Sequence, residues 1–202
     1  FTHSQYIALK TKDAIVDRFR DKEGVRPDVD LDHPTLRINV HIDRNICTIS
    51  LDSSGQSLHK RGYKVANTLA PINEVLAAGM ILKTGWSGQC DFLDPMCGGG
   101  TIVAEAAMIA CNIPANLNKD EFGFETWPDF DVDLYETIED AALKKIREFH
   151  FKIRGFDRDR ISLKKAQENI AAANLSEFIT LEHQDFFESA KLEEKPLFIV
   201  FN

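Results

Sequence analysis

The 202-residue sequence has no run of eighteen apolar residues, which excludes a membrane-spanning helix of the usual length from these residues. The chain opens with Phe1-Thr2-His3 and has neither a starting Met nor the basic and apolar segments of a signal peptide. We therefore expect a cytoplasmic protein with no membrane partner. We also expect the native N-terminus to lie upstream of Phe1.

The sequence lacks the cysteine and histidine spacings that are typical of a disulfide framework or a metal centre. The four cysteines show no C-x-x-C spacing, and this usage is typical of reduced thiols in the cytoplasm. The six histidines are scattered, and no pair has the spacing of metal ligands. We therefore expect no metal.

Two common nucleotide-binding motifs are also absent, namely the dinucleotide G-x-G-x-x-G and the P-loop G-K-[ST]. The segment Cys90–Thr101 nevertheless predicts a buried strand, an acidic residue, three consecutive glycines and then a helix over 102–111. Glycines allow a backbone to approach a ligand closely, and the first N–H groups of a helix can bind an anion. The segment therefore predicts a binding turn for a nucleotide-like ligand.

The charge of the chain is unevenly distributed. Its formal net charge is −8, yet residues 1–64 hold 11 basic against 9 acidic side chains, and residues 65–202 hold 13 against 23. This asymmetry indicates two modules with different roles, although a charge of this size over the first 64 residues is also found on ordinary protein surfaces.

Hydrophobic periodicity predicts a helix and a hairpin, followed by alternating strands and helices. The first part has a helix over 5–20 and strands over 36–42 and 46–51. A further helix opens near Pro71, with Ile72, Val75, Leu76, Gly79 and Leu82 on its apolar face. The later strands are predicted over 90–94, 151–156, 178–182 and 196–201, and the later helices over 101–111, 136–149 and 159–173. Such alternation is typical of a doubly wound α/β fold with a parallel sheet. The aromatic segment 122–131 is expected to be an ordered loop on that sheet.

Polar residues follow each predicted strand of this sheet, where ligands of open α/β sheets bind. Asp94 ends the first strand, and Asp157 follows the second, where it suits a ribose diol. Asp185 and Phe186 follow the third and suit an adenine ring, and Asn202 follows the fourth. Each has a structural alternative: Asp94 as a turn stabiliser, Asp157 as a helix N-cap, and Asp185 and Asn202 as turn or loop residues.

The carboxylate of Asp94 lies where a pyrophosphate would be repelled, whereas a cationic ligand tolerates it. S-adenosylmethionine carries a sulfonium and an ammonium group. Residue chemistry therefore favours S-adenosylmethionine over NAD or ATP as the cofactor.

The segment 94–101, D-P-M-C-G-G-G-T, resembles the motif of class I methyltransferases that act on the N2 of guanine in RNA. The segments 61–63 (R-G-Y), 70–78 and 124–128 (F-E-T-W-P) are similar to other motifs of that family. Residues 1–60 resemble the C-terminal part of a THUMP domain, an RNA-binding module. The nearest resemblance is to bacterial 23S ribosomal RNA guanine-N2 methyltransferases.

This resemblance implies a Rossmann-like class I methyltransferase domain over 61–202, preceded by the α+β THUMP part over 1–60. It implies that Asn202 is catalytic, with its side-chain oxygen holding the target amine. The implied cofactor-binding residues are Asp94, Met96, Cys97, Gly98, Gly100, Thr101, Asp157, Arg158, Asp185 and Phe186.

The implied partner is structured RNA, held through phosphates by basic residues of the first helix. The candidates are Lys10, Lys12, Arg18, Arg20 and Lys22, for which a solvated helix face is the alternative. In the family, the fourth strand continues as N-P-P-Y, so we expect the native chain to extend beyond Asn202. The alternative functions are a non-catalytic module that binds the cofactor and RNA, and amine methylation of tRNA, DNA or a free nucleobase.

Overall fold

The computed structural model describes residues 3–189 and 195–202. The chain divides into two compact units, and the first comprises residues 1–56 together with 121–130. The second comprises residues 57–120 and 131–202. Among the described residues, no helix has the length and hydrophobicity to span a membrane. In the same part of the chain, no cluster of His, Cys, Asp or Glu has the arrangement of a metal site.

The first unit contains the predicted helix and hairpin. Helix α1 (Ser4–Glu23) ends at Gly24, which has φ of 73° and donates its N–H to the Arg20 carbonyl oxygen. Strands β1 (Arg37–Asp43) and β2 (Ile46–Asp52) pair antiparallel. The two residues between them both have positive φ, as a tight hairpin turn requires.

The aromatic segment predicted over 122–131 belongs to this first unit up to residue 130, so the prediction that it packs on the parallel sheet was wrong. The backbone N–H of Phe124 donates to the carbonyl oxygen of Ser53 at 3.1 Å. Close backbone approach makes this possible, because a Cβ added to Gly123 would lie 2.8 Å from the nitrogen of Gly55. The position of this loop depends on the contact between Gly55 and Gly123, which are distant in the sequence, so composition does not reveal it.

The second unit is built on a four-stranded parallel sheet in the order β5-β4-β3-β6. Its strands are β3 (Asp91–Asp94), β4 (Ile153–Asp157), β5 (Ile179–His183) and β6 (Leu197–Ile199). Its helices are α2 (Glu74–Lys83), α3 (Thr101–Cys111), α4 (Val132–Leu143) and α5 (Arg160–Ala172). Helix α3 is buried along almost its whole length and forms the centre of the core. This architecture confirms the predicted α/β fold class.

Helix α2 differs from its prediction at its start and in its buried face. It begins at Glu74 after the N-cap Asn73, whose side chain accepts the Leu76 N–H at 3.2 Å, so Pro71 precedes the helix. The buried residues are Glu74, Ala77 and Ile81, whereas the predicted face includes Val75, Leu76 and Leu82, all exposed. Burial of Glu74 is stabilised by an ion pair with Lys64 at 2.8 Å, which periodicity does not capture.

Helix α4 also lies earlier than its predicted range of 136–149. Asp131 caps its N-terminus by accepting the Leu134 N–H at 2.9 Å. The segment after Leu143 leaves the helix because the Arg147 N–H donates to the Cys111 carbonyl oxygen at 2.8 Å. The Arg147 side chain also donates to the Ala110 carbonyl oxygen at 2.7 Å. These bonds to the end of α3 replace the hydrogen bonds of a further helical turn.

Candidate functional site

The glycine turn, residues 95–100, connects the carboxyl end of β3 to α3. The backbone N–H of Cys97 donates to the Phe156 carbonyl oxygen of β4 at 2.8 Å, and the Gly100 N–H donates to the Cys97 carbonyl oxygen at 2.8 Å. Gly98 and Gly100 have φ of 53° and 81°, values that favour glycine. The turn is therefore held against the tip of the neighbouring strand, at the sheet edge where parallel strands bind ligands.

The two positive-φ glycines of the turn have different surroundings. A Cβ added to Gly100 would lie 3.1 Å from the Cβ of Ala166, so this glycine allows the turn to pack on α5. A Cβ added to Gly98 would have no atom within 4 Å. Gly98 thus presents bare backbone to open space, as close approach of a ligand requires.

Asp94 is a carboxylate buried at the tip of β3, with 1% of its surface exposed. Burial, opposed by the Met96 N–H bond and assisted by the charge of Asp157, raises the pKa of Asp94 to about 7. That N–H donates to Asp94 Oδ1 at 3.1 Å. No cationic side chain among the described residues pairs with Asp94. A buried carboxylate of this kind is stabilised by a cationic ligand, so the residues fit the sulfonium and ammonium groups of S-adenosylmethionine.

Asp157, at the tip of β4, links the glycine turn to the start of α5. Its Oδ2 accepts the Gly98 N–H at 2.8 Å, and its Oδ1 accepts the Asp159 N–H at 2.8 Å. The N-cap of α5 is Asp159, which accepts the N–H groups of Ile161 and Ser162, so the alternative of Asp157 as N-cap was wrong. Each Asp157 oxygen keeps acceptor capacity, and its role toward a ribose diol stays a prediction.

The third predicted strand tip has a structural role. Asp185 caps a short 3-10 helix (Phe186–Glu188) by accepting the Phe187 N–H at 2.9 Å, which agrees with the alternative of a turn residue. The Gln184 N–H donates to the Asp157 carbonyl oxygen at 3.1 Å, which brings this segment beside the tip of β4. Contacts of Asp185 and Phe186 with adenine stay predictions.

The other predicted cofactor residues differ in exposure. Cys97 is buried, and burial, followed by the charges of Asp94 and Asp157, raises the pKa of its thiol, which keeps it neutral. Met96 is 41% exposed beside it, and Thr101 is buried at the first position of α3. Arg158 is exposed, and its carbonyl oxygen lies 3.0 Å from Nε2 of His183.

Asn202, the predicted catalytic residue, is exposed and lies three positions beyond β6. The Val200 N–H donates to the Leu93 carbonyl oxygen at 3.1 Å, so the chain after β6 still runs beside β3. Because β6 and β3 are parallel neighbours, Asn202 follows the sheet edge that carries Asp94. The topology therefore brings all four predicted strand tips to one edge.

A buried ion pair, which sequence reasoning did not predict, joins the R-G-Y segment to α3. Nε and Nη2 of Arg61 lie 3.4 Å from Oε1 and Oε2 of Glu105, and the Tyr63 hydroxyl donates to Oε1 at 3.3 Å. Burial raises the pKa of Glu105, and the Arg61 charge opposes that rise. A lone glutamate in the apolar sequence of α3 was the available signal, because a buried charge needs a partner.

The predicted RNA-binding residues all lie on α1, in the first unit. Two of them have acidic partners: Lys12 lies 2.7 Å from Asp13, and Arg20 lies 3.2 Å from Asp17. Lys10 lies over the ring of Tyr6 at 5.7 Å. In the described part of the chain, neither Arg18 nor Lys22 forms an ion pair, and both are exposed.

Comparison with known proteins places both units. Residues 1–52 match the THUMP domain, and residues 61–201 match the RMKL-like, methyltransferase domain family. The ribosomal RNA large subunit methyltransferase K/L of Syntrophotalea carbinolica is 40% identical over 200 residues, which cover 95% of this chain and 27% of that protein. The chain thus spans about a quarter of the length of the curated relatives it matches.

Solved structures give the same result. A possible methylase from Clostridium difficile 630 has a TM-score of 0.83 and 38% identity, covering 94% of this chain and 50% of its own. The protein SMU.472 complexed with SAH has a TM-score of 0.82 and 31% identity, covering 95% of this chain and 50% of its own. These comparisons confirm the fold class and family predicted from the sequence, and they indicate S-adenosylmethionine as the cofactor. Because the methyltransferase match extends over residues 61–201, the chain belongs to the RMKL-like methyltransferase domain family.

Proposed function

We propose that this chain takes part in transferring a methyl group from S-adenosylmethionine to the exocyclic N2 of a guanine in large-subunit ribosomal RNA. The observation that carries the proposal is the buried Asp94 carboxylate, without a cationic partner, at the start of a glycine turn. The names of the relatives, which describe ribosomal RNA methyltransferases, support RNA as the substrate. The THUMP match of residues 1–52 supports it independently.

When bound, S-adenosylmethionine supplies an activated methyl group to a nucleophile. The residues of this chain bind and orient: Asp94 offers a negative charge in a site of low polarity, and Gly98 offers open backbone. Asp157 holds the turn and is proposed to accept hydrogen bonds from a ribose. Asp185 and Phe186 are proposed to contact the adenine edge and face.

The guanine N2 is a poor nucleophile because its lone pair is delocalised into the ring. In the proposed function, the side-chain oxygen of Asn202 accepts a hydrogen bond from the guanine amino group. This bond orients the nitrogen and stabilises the positive charge that grows there during the reaction. Replacement of Asn202 by Ala is expected to lower turnover about a hundredfold, comparable to the loss of one preorganised transition-state partner, and to change cofactor affinity far less.

The test is mass spectrometry of nucleosides after incubation of the chain with unmodified large-subunit ribosomal RNA and deuteromethyl S-adenosylmethionine. We expect labelled N2-methylguanosine, formed about a hundredfold more slowly by Asn202→Ala. A label on adenine or cytosine would contradict the guanine assignment. Cofactor and RNA binding without any labelled nucleoside would instead support a non-catalytic binding module.

A further inference from the structure

Asn169 of α5 is a buried amide outside the glycine motif, with 1% of its surface exposed. Its Nδ2 donates to the Gly99 carbonyl oxygen at 3.0 Å and to the Ala66 carbonyl oxygen at 2.9 Å. Its Oδ1 accepts the Ala66 N–H at 2.8 Å. Both N–H groups and the oxygen are therefore used to join two segments that are 33 residues apart in the sequence.

The segment 66–68 has two further contacts with the same surroundings. Lys165, one helical turn before Asn169, donates from Nζ to the Asn67 carbonyl oxygen at 2.7 Å. The methyl carbon of Thr68 lies 3.2 Å from the position of a Cβ added to Gly99. The segment 66–68 therefore packs on the glycine turn, next to the position where Gly98 faces open space.

The Gly99–Gly100 peptide is consequently fixed at both of its polar atoms. Its carbonyl oxygen accepts from Asn169, and its N–H donates to the Cys97 carbonyl oxygen. A peptide held in this way keeps the turn in one conformation. The orientation of a binding turn matters because small displacements of a bound reactant weaken the interactions that depend on geometry.

We propose that Asn169 is a positioning residue for the cofactor: it fixes the glycine turn and holds the segment 66–68 as a second wall of the cofactor site. Lys165 supports the same wall from the surface. This inference rests on the proposed function, because it requires the cofactor to lie at the glycine turn. It adds a residue of α5, and a segment preceding α2, to the parts of the chain that determine cofactor affinity.

The test is titration calorimetry of the whole chain with S-adenosylhomocysteine, at a temperature where every variant is folded. Asn169→Asp keeps an acceptor for the Ala66 N–H but removes the donor to both carbonyl oxygens. We expect it to weaken binding at least tenfold. Lys165→Met, a change at a half-buried position that removes the hydrogen bond to Asn67, is expected to weaken binding about two- to fivefold.

The matched control is Trp86→Phe, which perturbs the core beyond the amino end of β3, where the indole N–H donates to the Cys90 carbonyl oxygen. This variant should lower the melting temperature and leave binding unchanged. If Asn169 has a purely structural role, Asn169→Asp will lower the melting temperature and leave binding unchanged, as the control does, and the inference is overturned. Unchanged binding by Lys165→Met would also overturn it. Failure of the unmodified chain to bind at all would overturn the proposed function and, with it, this inference.

Discussion

Asp157 accepts the backbone N–H of Gly98 at 2.8 Å, which ties the glycine turn after β3 to the tip of β4. Replacement of Asp157 by Ala should therefore weaken S-adenosylhomocysteine binding by about ten- to a hundredfold, because the turn loses its anchor and the site loses an acceptor. Titration calorimetry measures the change. The matched control is Asp159→Ala, which removes the N-cap of α5 and should cost about 1 kcal/mol of stability with little effect on binding. Equal losses of affinity in the two variants would contradict a specific role for Asp157.

Asp94→Asn should stabilise the ligand-free protein at neutral pH while it abolishes cofactor binding. The folded protein raises the pKa of Asp94 from its ordinary value of 3.8 to about 7, chiefly through burial. Between these values the unfolded chain releases the proton and the folded chain keeps it, so stability falls as the pH rises through this window. Because Asn does not titrate, the variant does not undergo this loss in the free energy of unfolding, which is on the order of a few kcal/mol above pH 7.

Thermal unfolding of both proteins from pH 4 to pH 8 measures this difference. We expect the curves to coincide near pH 4 and to separate up to about pH 7, where the gap levels off. Affinity of the unmodified chain for S-adenosylmethionine should rise over the upper part of this range, as Asp94 ionises beside the cation. A constant gap in stability at all pH values would contradict the raised pKa.

Alanine at Gly98 and at Gly100 should have different consequences. Both have positive φ, so each substitution should cost about 1–2 kcal/mol in backbone strain. At Gly100 the added Cβ would also lie 3.1 Å from Ala166 and displace α5, so the loss of stability should be larger. At Gly98 the Cβ enters open space, so the fold should persist while cofactor affinity falls. Chemical denaturation and calorimetry on the same samples separate the two effects, and the reverse order would be inconsistent with the geometry.

RNA affinity should depend on the unpaired basic residues of α1 more than on the paired ones. Arg18→Ala with Lys22→Ala removes two exposed cations that have no ion pair in the described structure. If both contact phosphates, the slope of log affinity against log salt should fall by about 1.5. The control, Lys12→Ala with Arg20→Ala, removes cations already paired with aspartates and should change the slope less. Filter binding to a ribosomal RNA fragment at several salt concentrations provides the measurement, and a slope of zero in the unmodified chain would contradict phosphate binding.

Sequence patterns were most reliable where local chemistry determines the structure. The bounds of α3 agree with the predicted helix over 101–111, since three glycines precede a largely apolar run in which Glu105 is the one charged residue. The hairpin likewise followed from alternation around a short polar turn. The exposed face of α2 was mistaken for its buried one, because burial there depends on the small Ala77 and on the Lys64–Glu74 ion pair.

In the candidate site too, some residues could be predicted from the sequence and others could not. The motif itself located Asp94 and the glycine turn, and strand order placed Asp157 beside them. Asn169 could not be selected from the sequence, since a lone Asn in an amphipathic helix resembles a solvated residue. Its importance follows from hydrogen bonds to residues 66 and 99, which only the folded chain reveals.

The Arg61–Glu105 contact affects where the N-terminal boundary of an independently folding methyltransferase domain lies. A shortened protein that begins after Tyr63 would retain every strand and helix of the second unit, yet it would leave the Glu105 charge stranded among apolar neighbours. Removal of one member of a buried pair destabilises by about 3–5 kcal/mol, a large share of the stability of an average domain. The irregular stretch ahead of α2 is thus part of the folding unit and not a dispensable linker.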